Sequence, residues 1–162
     1  MDQELYQKLL DYALRLIAKK RYTSREMENK CQTFLAKKGL EGEDLTTNVI
    51  ERLRELKYLD DEKYLNDYIS DRLRFKPRGK LIIKNELKKK GLDAGEVEEY
   101  FRINEVDEMA VALELLNTRM RRWEGEESYK KKEKAARYLA SKGFDADVVY
   151  KTVNHWYNLF VK

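Results

Sequence analysis

Three short segments, FLAKKGL, ELKKKGL and YLASKGF, recur along this chain, and in each a glycine is followed by an apolar residue. Their glycines, Gly39, Gly91 and Gly143, are separated by two equal intervals of 52 residues. A fixed period of this length is typical of proteins built from repeated supersecondary units. The chain is therefore predicted to fold as a series of similar units and not around one large core.

Apolar residues keep the same period on both sides of the glycines. The aligned sets are Cys31, Ile83 and Ala135; Leu35, Leu87 and Leu139; Leu40, Leu92 and Phe144; Leu45, Val97 and Val149; and Val49, Phe101 and Val153. Within each repeat the apolar residues recur at spacings of three and four, which predicts amphipathic helices. We expect three helices per repeat, with repeats at residues 1–59, 60–104 and 105–162.

Capping and breaking residues predict where the helices begin and end. Thr23 or Ser24 can cap the second helix, and Asp60 or Asp61 can cap a helix over 61–75. Pro77 is expected to end that helix. A helix over 78–90 follows, and Asp93 is expected to cap the next. In the remaining repeats we expect helices over 5–19, 43–57, 105–122, 128–142 and 145–159, with glycine at the C′ position after the second helix of each repeat.

Composition agrees with this architecture. Charged residues make up 40% of the chain and the mean hydropathy is -0.82, so a single large apolar core is not expected. The chain has one proline, which leaves long uninterrupted helical segments. The predicted fold is all-α: a tandem array of three three-helix, helix-turn-helix-like repeats, elongated and curved because each unit packs on its neighbours.

Charge is distributed unevenly about the second glycine. Residues 76–92 carry a net charge of +6, and residues 93–108 carry -6. Lys80, Lys84 and Lys88 are spaced by four residues and therefore form one stripe on their helix. Such a stripe suits phosphates or an acidic protein groove. The helix after the glycine is acidic, which argues against its entry into a DNA major groove as a recognition helix.

Several functional classes have little support. Cys31 is the only cysteine and His155 the only histidine, so neither a disulfide, a Cys/His metal site nor a nucleophile–histidine pair is expected. The carboxylates of residues 60–67 are better explained as helix-start residues than as Mg²⁺ ligands. We expect a non-enzymatic protein without cofactors, soluble and cytoplasmic, since the sequence has no signal segment and no membrane-spanning run.

The centre of the chain resembles the bacterial RecX family. The resemblance rests on Thr23-Ser24-Arg25-Glu26-Met27, Leu56-Lys57-Tyr58-Leu59-Asp60-Asp61, Tyr64, Tyr68-Ile69, Arg72, Lys76-Pro77-Arg78-Gly79 and Glu86-Leu87-Lys88-Lys89-Lys90-Gly91-Leu92. It extends over about residues 10–158, and its specific part is 56–92. Met27 and Cys31 replace the leucines usual in this family, a change that concerns core packing.

The resemblance implies a regulator of the RecA recombinase that lies in the groove of the RecA–single-stranded-DNA filament and limits ATP hydrolysis and strand exchange. It places the chain in homologous recombination, DNA repair and the SOS response. The predicted contact residues are Arg72, Arg74, Lys76, Arg78, Lys80, Lys84, Lys88, Arg119, Arg121, Arg122, Lys130 and Lys131.

Two alternatives stay open from the sequence. The basic stripe also suits a helical module that binds DNA without RecA, and a repeat architecture also suits a scaffold for another protein. Whether single-stranded DNA is touched directly is not decided by the residues. No sustained heptad pattern is present, so a monomer is expected.

Overall fold

The structure is a computed structural model that describes residues 2–160. These residues form nine α-helices and one 3-10 helix, and no β-strand occurs among them. The all-α fold class predicted from the sequence is confirmed. Within the same residues, no helix is both long enough and apolar enough to cross a membrane.

The helices follow one another with short connections. They are α1 (Asp2–Ile17), α2 (Ser24–Ala36), α3 (Glu43–Glu55), α4 (Asp61–Phe75), α5 (Lys80–Lys89), α6 (Ala94–Ile103), α7 (Glu108–Arg119), α8 (Ser128–Ser141) and α9 (Ala146–Phe160), with the 3-10 helix Met120–Trp123 after α7.

The chain divides into two compact units. The first contains the residues up to Asp67 together with Lys88–Asp93, and the second contains Tyr68–Leu87 and the residues from Ala94 onward. The helices α4 and α5 therefore contribute residues to both units. Since compactness does not test sequence repeats, the repeat boundaries 1–59, 60–104 and 105–162 stay a prediction.

The core of the first unit is formed by α1, α2 and α3. Its buried apolar side chains include Leu9 and Ala13 of α1, Met27 and Cys31 of α2, and Leu53 of α3. These residues recur at helical spacing along one face of each helix, which is why the three helices pack together. The interpretation of Met27 and Cys31 as core residues is confirmed.

The core of the second unit contains two tryptophans. The rings of Trp123 and Trp156 meet edge to face with centroids 5.9 Å apart. Around them lie buried residues of α7, α8 and α9, among them Leu116, Leu139 and Val153. Edge-to-face pairs add stabilisation beyond the area that they bury. They fix the 3-10 helix, which carries Trp123, against α9.

Side chains satisfy the first N–H groups of α2 and α4. The Thr23 hydroxyl accepts a hydrogen bond from the Glu26 backbone N–H (3.1 Å), and the Glu26 carboxylate accepts one from the Thr23 N–H (3.1 Å). This is a capping box. Asp60 caps α4 by accepting from Lys63 N–H (3.0 Å), whereas Asp61 accepts from Ser24 N–H at 2.7 Å. Of the two aspartates proposed as caps of α4, Asp60 takes that role and Asp61 serves α2.

Two helices begin later than the sequence predicted. Helix α5 begins at Lys80 and not at Arg78, because the Gly79 N–H donates to the Lys142 carbonyl (2.8 Å) outside any helix ladder. Helix α7 begins at Glu108, since Asp107 caps it by accepting from the Ala110 N–H (3.0 Å).

The repeated glycines end α2, α5 and α8 as predicted. Gly39, Gly91 and Gly143 have φ of 68°, 80° and 86°, in the left-handed region that glycine adopts at low cost. At two of these positions there is also no room for a Cβ atom. A Cβ on Gly91 would lie 2.4 Å from Arg25 side-chain carbons, and one on Gly143 would lie 2.5 Å from Ile82 Cγ1. A Cβ on Gly39 would meet nothing within 4 Å.

Candidate basic interaction surface

Eleven of the twelve predicted contact residues belong to the second compact unit, and Lys88 belongs to the first. They lie on the C-terminal end of α4, the 76–79 connection, α5, the end of α7 with its 3-10 helix, and the start of α8. We use the name basic surface for the members of this set in the second unit. Their surroundings divide them into cations that are neutralised within the protein and cations that are not.

Arg72 is neutralised within the fold. Its guanidinium makes two hydrogen bonds to the Glu86 carboxylate, at 2.8 and 2.9 Å, and two more to the Tyr68 hydroxyl. The Arg72 and Glu86 side chains are only 25% and 28% exposed. A bidentate, half-buried pair of this kind fixes α4 against α5. Arg72 is thus better placed to hold the fold than to bind a partner.

Lys80 and Lys84 share one carboxylate. Both ammonium groups pair with Glu98 of α6, Lys80 at 2.6 Å, and the Lys80 ammonium also lies 5.2 Å from the centre of the Phe101 ring. Hydrogen bonds from Lys80 and then Lys84 lower the pKa of Glu98 to about 2. We call this arrangement the Glu98 clamp. It removes one of the two positive charges that the predicted stripe has in the second unit.

Three predicted residues lie exposed on connections and helix ends. Arg74 and Lys76 flank Phe75, whose side chain is 67% exposed, and the Arg74 guanidinium lies 5.1 Å from the centre of the Phe75 ring. Lys88, at the end of α5, is also exposed. A single exposed phenylalanine is common on protein surfaces, but this one places apolar area directly between two cations. Phe75 lies outside the contact set predicted from the sequence.

The predicted contact residues of the third repeat differ from one another in exposure and in pairing. Arg121 and Arg122 are exposed on the 3-10 helix. Lys130 pairs with Glu127 at 3.1 Å and its ammonium lies 5.6 Å from the centre of the Tyr129 ring. Lys131 is half-buried. Arg121 and Arg122 are therefore the members of this group most accessible to a polyanion.

Arg78 and Arg119 lie near enough to a third cation, Lys142, for their charges to act on it, and Lys142 was not in the predicted set. The Arg119 guanidinium carbon lies 4.6 Å and the Lys142 ammonium 5.3 Å from the centre of one ring, that of Tyr138. Arg78 precedes Gly79, whose N–H donates to the Lys142 carbonyl. Burial first, and then the charges of Arg78 and Arg119, lower the pKa of Lys142. These three residues form what we call the Lys142 cluster.

No carboxylate among residues 2–160 forms an ion pair with the Lys142 cluster. Two acidic residues at the adjoining helix ends serve the backbone instead. Glu108 accepts from the Lys80 N–H (2.8 Å), and Asp145 accepts from the Val148 N–H (2.9 Å). The Nε of Arg119 is buried and has no hydrogen-bond partner in the described residues.

An apolar groove lies between α8 and α9 in the second unit. It has a volume of about 750 Å³ and is lined by Ala136, Ala140, Val149, Tyr150 and Val153, among others. By the 52-residue period, Ala136 and Tyr150 correspond to Lys84 and Glu98 of the Glu98 clamp. The positions that bridge α5 and α6 by charge are therefore apolar in α8 and α9, and the groove stays open.

The residues considered for chemistry are placed as structural or surface residues. Cys31 is fully buried, and burial together with the Glu28 charge raises the pKa of its thiol to about 11, so the thiolate nucleophile is disfavoured. His155 is exposed. Asp60 and Asp61 cap helices, and Asp67 pairs with Arg21. No group of three or more His, Cys, Asp or Glu residues within 2–160 is arranged to hold a metal ion.

Known proteins resemble this chain both in sequence and in fold. The family model for the third three-helix domain of RecX matches residues 105–153, and that for the second matches 60–100. A regulatory protein RecX of Clostridium perfringens (strain 13) is 36% identical over 150 residues, which cover 91% of this chain and 68% of the relative. The chain belongs to the RecX family. Another relative, the regulatory protein RecX of Chlorobaculum tepidum, is 31% identical over 153 residues, 94% of this chain and 91% of its own.

A solved RecX structure has the same fold. The crystal structure of RecX from Lactobacillus salivarius superposes with a TM-score of 0.83, at 22% identity, over 95% of this chain and 97% of that one. The sequence resemblance to the RecX family is thus confirmed, together with its helical repeat fold. A regulatory role follows from membership of the family.

Proposed function

We propose that this protein is a non-enzymatic, cytoplasmic regulator that binds the RecA–single-stranded-DNA filament and inhibits RecA ATP hydrolysis and strand exchange. It would thereby act in homologous recombination, DNA repair and the SOS response. The proposal is supported by membership of a family whose relatives are named regulatory proteins.

The observation that carries the proposal is the combination of exposed cations and exposed apolar side chains in the second unit. Arg74, Lys76, Arg121 and Arg122 are exposed, and Phe75 lies between the first two. A filament that contains DNA presents phosphates to these cations, and the protein of the filament presents apolar residues to exposed apolar side chains such as Phe75. We expect these five residues to make the main contacts, with Arg72 and the clamped lysines acting as supports.

The apolar groove between α8 and α9 favours a protein partner over DNA alone. Tyr129 and Tyr150, at its edges, are 64% and 71% exposed. Apolar contacts of this kind are insensitive to salt, whereas phosphate contacts weaken steeply as salt rises. Filament binding is therefore expected to keep a salt-resistant part that binding to naked DNA lacks.

The test is RecA ATP hydrolysis on single-stranded DNA with this protein added at substoichiometric ratios. Strong inhibition well below one copy per RecA is expected, because a regulator that bridges or caps a filament affects many protomers. The double variant Arg121→Glu/Arg122→Glu should inhibit at least about tenfold less well, as each lost charged contact contributes on the order of 1.5 kcal/mol or more. Lys19→Glu, a charge reversal at an exposed residue outside the basic surface, is the control.

The alternative function is a helical DNA-binding module that acts without RecA. The unpaired charges of the Lys142 cluster favour it, since they suit phosphate directly. The two functions separate when binding to assembled filaments and to naked single strands is compared over a range of salt. Tight binding to naked DNA with no effect on ATP hydrolysis would select the alternative and reject the filament function.

A further inference from the structure

The Lys142 cluster has a charge that the fold does not neutralise. Arg78, Arg119 and Lys142 are half-buried, and none of them forms an ion pair with a carboxylate of residues 2–160. Arg119 and Lys142 lie over the same Tyr138 ring. Bringing like charges together in a partly desolvated place costs folding free energy. Such an arrangement is typical of a site whose counter-charge is a ligand.

The other two repeats show that this charge is not required by the turn. By the 52-residue period, Lys38 and Lys90 correspond to Lys142. Lys90 pairs with Glu26 at 3.0 Å, and Lys38 is exposed over the Phe34 ring. The same glycine turn therefore forms once with a paired lysine and once with a solvated one. The unpaired, half-buried lysine is specific to the third repeat.

We propose that Arg78, Arg119 and Lys142 form a binding site for a phosphate group. Two guanidinium groups and an ammonium offer more donors than the two oxygens of one carboxylate accept, whereas guanidinium forks match phosphate oxygens well. The buried Nε of Arg119 supplies a donor without a protein acceptor. The site deepens the proposed function, because it assigns a ligand to two residues of the basic surface, and it rests on that surface being a binding surface.

The ring of Tyr138 holds two members of the site in place. It packs edge to face on Trp123, with centroids 6.2 Å apart, and Trp123 is part of the core of the second unit. The backbone of Lys142 is fixed by the hydrogen bond that its carbonyl accepts from Gly79. A site that is already positioned loses little entropy when a ligand binds.

The phosphate could come from a nucleic-acid backbone or from a free phosphate compound, and binding is measured without RecA for both. The probes are a fluorescein-labelled oligothymidylate, read by anisotropy, and inorganic pyrophosphate, read by calorimetry. Lys142→Gln and Arg119→Gln should each weaken binding of at least one probe by about tenfold or more. For the oligonucleotide, each substitution should also reduce the slope of log K against log salt by about 0.7.

Lys38→Gln is the matched control, since it removes the same charge at the equivalent position of the first repeat. Loss of oligothymidylate binding alone supports the site with a nucleic-acid source, and loss of pyrophosphate binding alone supports it with a free phosphate source. If Lys142→Gln and Lys38→Gln bind both probes alike, the site is overturned. Because Lys142→Gln removes a repelled charge, its thermal midpoint should not fall, so lost binding cannot be attributed to unfolding. Inhibition of RecA is scored separately and can fail or succeed independently.

Discussion

Lys90 and Lys142 occupy equivalent positions of two repeats, one residue before a glycine in the left-handed conformation, yet their electrostatic surroundings are opposite. Burial alone would lower the pKa of Lys90, but hydrogen bonds to Tyr64 and Glu26 raise it to about 12. Among the described residues Lys142 has no such partner, and burial with the charges of Arg78 and Arg119 lowers its pKa. The same backbone turn thus serves stability in the first unit and carries an unneutralised charge in the second.

The two turns also differ in how their carbonyls are used. The Lys90 carbonyl accepts from the Thr23 hydroxyl at 2.6 Å, whereas the Lys142 and Gly143 carbonyls accept from the backbone N–H groups of Gly79 and Leu81, at 2.8 and 3.1 Å. In the first unit the side chain of a helix cap makes the contact. In the second unit the backbone at the N-terminus of α5 makes the contact, so the side chains of Arg78 and Lys142 are not needed for it.

The largest expected effect comes from filling the second turn. Gly143→Ala introduces a positive-φ alanine whose Cβ would lie 2.5 Å from Ile82 and 2.8 Å from the Ile82 backbone nitrogen. Left-handed strain and overpacking together should cost about 3 kcal/mol of unfolding free energy. Gly39→Ala, with similar φ but open space, should cost only about 1 kcal/mol. Urea unfolding measures both, and equal costs would show that the close approach at Gly143 is not needed.

A middle-sized effect distinguishes the two lysines. Lys90→Gln should lower the unfolding free energy by about 1–3 kcal/mol, since it leaves the half-buried Glu26 without its charged partner. Lys142→Gln should leave stability unchanged or raise it, because the charge that it removes is repelled. Chemical denaturation of the two variants in the same buffer makes the comparison. A greater loss for Lys142→Gln than for Lys90→Gln would contradict the assigned roles.

The pH dependence of stability should have opposite signs at the two turns. Lys90 has a folded pKa of about 12, above the ordinary lysine value of 10.5, so its contribution is complete below about pH 10.5 and is lost as pH rises through 12. Lys142 has a folded pKa below that value, so the unfolded state holds its proton more tightly and stability rises as pH passes through the Lys142 pKa. Measuring the unfolding free energy of each glutamine variant and of the unmodified protein over alkaline pH isolates the contribution of each lysine.

The smallest expected effect concerns the Glu98 clamp. Glu98 is exposed, so Glu98→Gln should change the unfolding free energy by less than about 1 kcal/mol. Its folded pKa of about 2 lies below the ordinary glutamate value of 4.5, so its small contribution is present above pH 4.5 and is lost as pH falls through 2. The variant should nevertheless bind labelled oligothymidylate a few-fold more tightly, as Lys80 and Lys84 are released. Unchanged DNA affinity would place the two lysines outside the binding surface.

The local structure was largely predictable because short-range signals determine it. The 52-residue period located the three glycine turns, and Thr23, Pro77 and the apolar columns located most helix ends. Asp60 and Asp61 could not be told apart from sequence alone. Which of two adjacent aspartates caps its own helix depends on Ser24, a residue distant in the chain, whose N–H takes up Asp61.

The basic surface was only partly predictable, because charge pairing is non-local. Counting charges from 76 to 92 could not reveal that Glu98 of the next helix pairs with both Lys80 and Lys84 and cancels one of their two charges. Arg72 was predicted as a contact residue and is among the residues that carry the RecX resemblance, yet its guanidinium pairs with Glu86 within the fold. Lys142 was missed although the repeat placed it in line with Lys38 and Lys90. The signal that could have identified it is the period itself, since Glu26, the partner of Lys90, corresponds to Arg78 one repeat later.

The most direct test of the contrast between the turns is a ¹³Cε NMR titration of the lysine side chains of the folded protein, with and without oligothymidylate or pyrophosphate. We expect the Lys142 pKa to lie below the ordinary lysine value in the free protein and to rise when a phosphate ligand is present. Lys90 should stay protonated throughout the range in which Lys142 titrates, with or without ligand. A Lys142 pKa at or above the ordinary lysine value, and unchanged by phosphate, would contradict the account.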